Sequence, residues 1–215
     1  HFANRQSEER GNLPIFTGDV NGCSVIAFHT GIGGARAYEK TGAILARFKP
    51  RLLIGSGFAG ALDPELRVAD LVVANNVSNG YLVERLKTSG VACRIGNLVT
   101  TARVIDSLAA KTALHEKTGS IAVDMETESV ARACAEANTL FLSVRAISDA
   151  AADSLPVPVE SWFDLAAQRP LVIPLLAFLA THPARIPAFA RFVAQVQKAK
   201  RALGTELPRI IAALD

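Results

Sequence analysis

Four stretches of this chain bring acids or glycine-rich backbone to places where a small molecule could be held. The most specific is Val123-Asp124-Met125-Glu126-Thr127-Glu128, which sets three carboxylates where an apolar run gives way to a helical pattern. A second apolar run ends in Arg145-Ala146-Ile147-Ser148-Asp149, with a further acid as its last residue. Acids at the start of a helix are favoured by the helix dipole, and that role suffices for Asp124 and Glu128. Glu126 and Asp149 read differently: both close a buried strand of one expected strand-helix-strand unit, and so share a rim of the sheet. There, one acid can hold a sugar hydroxyl while the other exchanges a proton with a base.

The two glycine-rich stretches are less specific. Gly31-Ile32-Gly33-Gly34 precedes a helical stretch, where glycine permits close backbone approach and the first amides favour an anion or hydroxyl oxygen. The same letters read equally as a strand-to-helix turn without ligand. Their spacing fits neither GxGxxG nor GxxxxGK[ST], so neither a dinucleotide nor a nucleoside triphosphate is expected. Gly55-Ser56-Gly57-Phe58-Ala59-Gly60 follows an apolar run, at the carboxyl end where open α/β sheets bind ligands. Its small residues would let a flat ring lie against the backbone, or would simply turn the chain into Leu62-Asp63-Pro64.

The elements that must position these residues follow from the apolar pattern. Pro14–Thr17 and Cys23–Phe28 read as a hairpin joined through Asn21-Gly22. Ala37, Thr41, Ile44, Leu45 and Phe48 fall at helical spacing over 35–48, and Pro50 ends that helix. Strands are expected at Leu52–Ile54, Leu71–Ala74, Leu98–Thr100, Ile121–Val123 and Leu140–Ile147, with a helix from about Glu126 to Asn138. Apolar strands alternating with helices imply an α/β fold whose mixed sheet is covered on both faces. From Trp162 onward the chain reads as helical, and Phe189, Phe192, Val196, Ala199 and Leu203 form the apolar face of a docking helix.

Composition sets the outer bounds. The chain has 215 residues, 50% of them hydrophobic and 20% charged, which suits one domain, 1–160, with a helical part, 161–215, packed on it. The longest apolar run, Leu171 to Ala180, is broken by Pro174 and is shorter than the roughly 20 residues that span a bilayer. The formal charge of +3 is spread thinly, except for a cluster in the last third at His182, Arg185, Arg191, Lys198, Lys200 and Arg201. That favours anionic partners without implying nucleic acid; contact with a membrane surface is the lesser alternative for this basic helix. Cys23, Cys93 and Cys134 form no CxxC pair, so neither a metal site nor a disulfide framework is expected, and reduced thiols point to the cytoplasm.

Taken in order, Gly31-Ile32-Gly33, Gly57-Phe58-Ala59-Gly60-Ala61-Leu62-Asp63-Pro64, Val123-Asp124-Met125-Glu126 and Val144-Arg145-Ala146-Ile147-Ser148-Asp149 resemble the nucleoside phosphorylase and nucleosidase superfamily over residues 14–153. That superfamily includes the 5′-methylthioadenosine/S-adenosylhomocysteine nucleosidases. The Gly-Phe-Ala-Gly loop, Asp-Met-Glu with Thr-Glu-Ser-Val-Ala-Arg, and the tail look most like the hopanoid-associated branch, thought to remove adenine from adenosylhopane. The resemblance implies a three-layer α/β/α phosphorylase/hydrolase-like fold, no cofactor, a small-molecule nucleoside substrate and a homodimer. It implies that Glu126 holds the ribose hydroxyls, that Met125 packs on the sugar, and that Asp149, placed by Ser148, protonates N7 of the departing purine. Gly57, Phe58 and Ala59 would line the base and sugar pocket, and Val104 and Ile105 would cover the base.

The departures from that family bear on the nucleophile. Phosphorolytic relatives carry an arginine two residues before the loop glycine and a serine directly after it, where this chain has Gly55 and Phe58. Water is therefore expected in place of phosphate, with Arg36 and Arg103 as the residues that could substitute for the missing grip. Val104 stands where an aromatic commonly stacks on the base. The chain starts without Met and after the point where hydrolytic relatives carry a central strand and a water-orienting Glu, so an incomplete record is expected. Glu8 and Glu9 read as part of a solvated turn.

Overall fold

The structure, a computed structural model, describes residues 3–10, 13–158, 163–164 and 169–215. Strands β1 (Ala3–Arg10), β2 (Leu13–Val20) and β3 (Cys23–Phe28) form a small antiparallel sheet. Val20 pairs with Cys23, leaving Asn21 and Gly22 as a two-residue turn with φ of 52° and 88°. Left-handed backbone at both positions matches the twist of the strands it joins, and Asn-Gly tolerates it. Glu8 and Glu9 lie in β1, not in a turn: pairing with β2 satisfies backbone groups whatever the polarity of the side chains.

A six-stranded mixed sheet carries the rest of the fold. Its order is β6 (Arg94–Gly96), β5 (Leu71–Ala74), β9 (Leu140–Asp149), β4 (Leu52–Ala61), β8 (Ala122–Asp124) and β7 (Leu98–Thr100). The long central strands β4 and β9 are parallel, with Leu52 opposite Leu140 and Gly57 opposite Arg145. Successive residues of β9 feed opposite cores, as the two-residue period of a strand requires. Phe141 joins Leu53, Ala37, Leu45, Val130 and Cys134 under helices α1 (Gly34–Phe48) and α4 (Thr127–Glu136). Leu142, Val144 and Ala146 join Leu82, Leu86, Ile210 and Leu214 under α2 (Gly80–Thr88) and α6 (Ile186–Leu214). The result is the expected three-layer α/β/α arrangement with a C-terminal helix.

Several expectations are corrected. Gly55–Gly60 is no loop after a strand: it lies inside β4, which continues to Ala61. Glycines are depleted in strands, but here large side chains of β9 occupy the space beside them. The strand-helix-strand unit is not a parallel pair, because β8 runs antiparallel to β4, with Val123 opposite Gly60 and Ala122 opposite Ala61. A three-residue strand carries no direction in its pattern; the pairing sets it. Glu126 therefore does not share a rim with Asp149, since the carboxyl end of β8 points back toward the middle of β4.

The C-terminal part also differs. Phe163–Asp164 and Arg169–Pro170 pair as β10 and β11 before α5 (Val172–Thr181), while Trp162 lies outside the described residues. In α6 the deeply buried positions are Ala199, Ile210 and Leu214, so docking is carried further along the chain than Phe189 or Val196. Among the described residues no single helix is long and apolar enough to cross a membrane. Beyond Gly60 and Ala61, the side of β4 away from β9 has no strand partner among the described residues.

Candidate active site

One face of β9 collects polar groups that an apolar strand would not carry without a use for them. Ser143, Arg145 and Asp149 alternate with the core residues Leu142, Val144 and Ala146, and all three are buried. The Arg145 guanidinium donates from Nε and Nη2 to Thr127 Oγ1, at 3.0 and 2.7 Å, and from Nη2 to Asp124 Oδ2 at 2.8 Å. Asp124 in turn accepts the backbone N–H groups of Glu126 and Thr127, at 3.4 and 3.2 Å, which caps α4. The capping role read from the sequence is present, and a buried ion pair, not legible there, is added to it.

That network fixes the start of α4 and with it Glu126. The Glu126 Oε1 accepts the N–H of Gly33 at 2.8 Å. Burial pushes its carboxyl above the ordinary glutamate range and Asp124 adds to the rise, opposed by the Gly33 N–H and Arg145. Gly33 does not line the cleft itself. Its part is to present that N–H from a backbone at φ 104°, a conformation that favours glycine.

Asp149 closes β9 with both carboxylate oxygens engaged. Ser148 Oγ donates to Oδ1 at 2.7 Å and lies 3.3 Å from the carbonyl of Ala59. Lys111, from helix α3 (Leu108–Thr118), donates to Oδ2 at 2.5 Å and is 1% exposed. A Cβ at Gly60 would sit 3.1 Å from Oδ2, and one at Gly57 would sit 2.1 Å from Arg145 Nη1. The glycines of β4 thus make room for the charged side chains of β9, a closer reason for them than a flat ring against the backbone.

Glu126 and Asp149 open onto one cleft of about 570 Å³ that follows β4 from Leu53 to Gly60. Gly57, Phe58 and Ala59 line it, as do Val104, Ile105, Met125 and Ser148. Arg103 lines it as well, together with His29 and Thr30, which sequence reasoning passed over. Phe192 and Leu203 of α6 line it too, whereas the apolar run Leu171 to Ala180 does not. Among the described residues no group of three or more His, Cys, Asp or Glu side chains could hold a metal ion. Such a cleft can grip vicinal hydroxyls at one acid and offer a hydrogen-bonded carboxyl at the other.

A mixed α/β sheet with an acid-lined cleft along its central strand defines the class. Residues 1–84 and 79–180 match the family model described as the phosphorylase superfamily, and the chain belongs to that family. A 5′-methylthioadenosine/S-adenosylhomocysteine nucleosidase of Marinomonas sp. (strain MWYL1) is 28% identical over 188 residues, covering 72% of this chain and 80% of that protein. The nucleosidase of the same name from Neisseria meningitidis, solved with methylthio-immucillin-A, superposes with a TM-score of 0.73 at 20% identity, over 99% of this chain and 91% of that one. The Streptococcus pneumoniae nucleosidase, solved with a transition-state inhibitor, gives a TM-score of 0.73 at 22% identity, over 100% and 92%. These structures share its fold.

Proposed function

We propose that the protein is a purine nucleosidase that hydrolyses the N-glycosidic bond of a 5′-substituted adenosine and releases adenine. The observation that carries this reading is the pairing of Glu126 with Asp149 on one cleft, each held by its own hydrogen bonds. As the bond breaks, the ribose becomes oxocarbenium-like and the purine takes the bonding electrons. Asp149 relieves that charge with a proton at N7, worth about 10²- to 10⁴-fold. Ionised Glu126 accepts the ribose hydroxyls and fixes the sugar beside Met125. Water is the nucleophile: Arg145 is committed to Asp124 and Thr127, and Gly55 and Phe58 offer phosphate no side-chain donor.

The cleft supports a direction for the substrate. Asp149 lies beside Gly60 at one end of β4, whereas Phe28, Phe192 and Leu203 add apolar wall to a cleft that also holds Glu126, His29 and Arg103. The base occupies the Asp149 end, the ribose lies at Glu126, and Phe192 and Leu203 of α6 give an apolar 5′-substituent of methylthio or hopane type its wall. Arg103 on the cleft wall is the one observation that favours a second reading, phosphorolysis. Incubating the protein with 5′-methylthioadenosine, with and without phosphate, distinguishes them. Free adenine and the free sugar in both cases are expected, and a sugar 1-phosphate formed only with phosphate would replace hydrolysis. Asp149→Asn is expected to lower turnover at least about 10²-fold, measured on protein whose circular dichroism matches that of the unaltered chain.

A further inference from the structure

Among the described residues Lys111 is the largest side chain buried to less than 2% exposure, and an amine so buried needs a reason. It is the one buried residue of α3. Its Nζ donates to Asp149 Oδ2 at 2.5 Å, to the carbonyl of Ala150 at 2.8 Å and to that of Asp153 at 3.0 Å. All three N–H bonds of an ammonium are thus accounted for, and the carboxylate in front of it is the group assigned to protonate the base. The turn behind is stitched as well: Asp153 Oδ2 accepts the Ala150 N–H at 3.0 Å and the Gln195 amide at 3.1 Å.

With Lys111 on Oδ2 and the Ser148 hydroxyl on Oδ1, Asp149 stands as an acceptor on both oxygens. A general acid must hold a proton, and the nearest one is on Nζ. We propose that Lys111 supplies, through Asp149, the proton that the departing purine takes, which makes it a positioning residue that also serves as the proton reserve of the site. This rests on the function proposed above. The N9–C1′ bond breaks and its electron pair passes to the purine. N7 then takes a proton from the Asp149 carboxyl, which receives one from Nζ. Lys111 is left as an amine hydrogen-bonded to the two carbonyls. The proton shed when water adds to C1′ restores the ammonium, so the cycle is balanced with substrate and water alone. Ser148 can follow the change, donating to Oδ1 when Asp149 is ionised and to the Ala59 carbonyl when it is not.

The test separates proton supply from support. Two substrates are compared: 5′-methylthioadenosine, whose base needs a proton to leave, and a 4-nitrophenyl riboside, whose phenolate does not. In Lys111→Met, adenine release is expected to fall about 10²-fold while aryl riboside cleavage stays within about threefold. Lys111→Arg keeps a charge but cannot give up its proton, so the same split is expected. Removing one partner of a buried pair can prevent folding, so Asp149→Asn is also combined with Lys111→Met, a pair that leaves no uncompensated charge. The double variant is expected to match Asp149→Asn alone within about twofold on adenine release. Parallel losses on both substrates, full activity of Lys111→Arg, or an additive double variant would each overturn the inference. Absence of adenine release by the unaltered protein would instead overturn the proposed function.

Discussion

Placing a methyl group at Gly57 tests whether the charged network beneath β4 holds the site in place. The added Cβ would lie 2.1 Å from Arg145 Nη1, and ordinary contact begins near 3.4 Å, so the guanidinium must retreat by about 1.3 Å. Arginine tips usually yield at little cost, but this one is planar, buried and bonded through Nε and Nη2 at 2.7 to 3.0 Å. A retreat of that size breaks those bonds and leaves Asp124 without its counterion. Loosening a buried ion pair costs about 3 to 5 kcal/mol. For a chain of this size that corresponds to a fall in Tm of roughly 6 to 20 °C. Asp124 also caps α4, so Glu126 loses its setting, and kcat/KM for adenine release should fall together with stability. The assay is thermal unfolding alongside adenine release. Gly42→Ala is the control: its Cβ would meet nothing within 4 Å, and it sits within α1. Gly57→Ala with unchanged Tm and kinetics would refute the account of the network.

Other outcomes follow from the same geometry. Gly42→Ala should itself stabilise by about 0.4 to 1 kcal/mol, seen as a raised denaturant midpoint, because a helical alanine has less freedom to lose. Gly33→Ala keeps the space but strains a backbone at φ 104°, costing about 1 to 3 kcal/mol, and should raise KM by displacing the N–H that holds Glu126. The raised Glu126 carboxyl places the acidic limb of kcat/KM above the ordinary glutamate range, and Glu126→Gln should lack that limb. The sign for stability is the reverse of a salt-bridged acid. The folded form holds the proton longer than the unfolded one, so this group's contribution falls as pH rises from the unfolded value through the folded one and is flat beyond, measurable as the difference between the two proteins' Tm–pH curves. Cys134, fully buried with its thiol pushed up to about 12, should resist alkylation until the protein unfolds, by mass spectrometry of the modified peptides.

What could be read before the structure was known depended on whether the signal was local. The Asn21-Gly22 hairpin, β5 and β7 follow from turn chemistry and apolar runs, and the structure places them within a few residues of expectation. The acids Glu126 and Asp149 stood out because they interrupt apolar patterns. Arg145 stood in the same motif and was passed over, since its meaning depends on Asp124 and Thr127, which only the sheet brings near. Lys111 was less legible still. In Leu108-Ala109-Ala110-Lys111-Thr112 it looks like any solvent-facing lysine, and nothing local distinguishes it from Lys117. The direction of β8 was illegible for a related reason: a run of three residues gives burial but no sense of travel.

The brevity of the strands at the two ends of the six-stranded sheet has a further consequence, for how the protein behaves at high concentration. The outermost strands, β6 and β7, are three residues each and give a foreign strand little to grip. Growth of the six-stranded sheet by edge-to-edge pairing is therefore disfavoured at both of its ends.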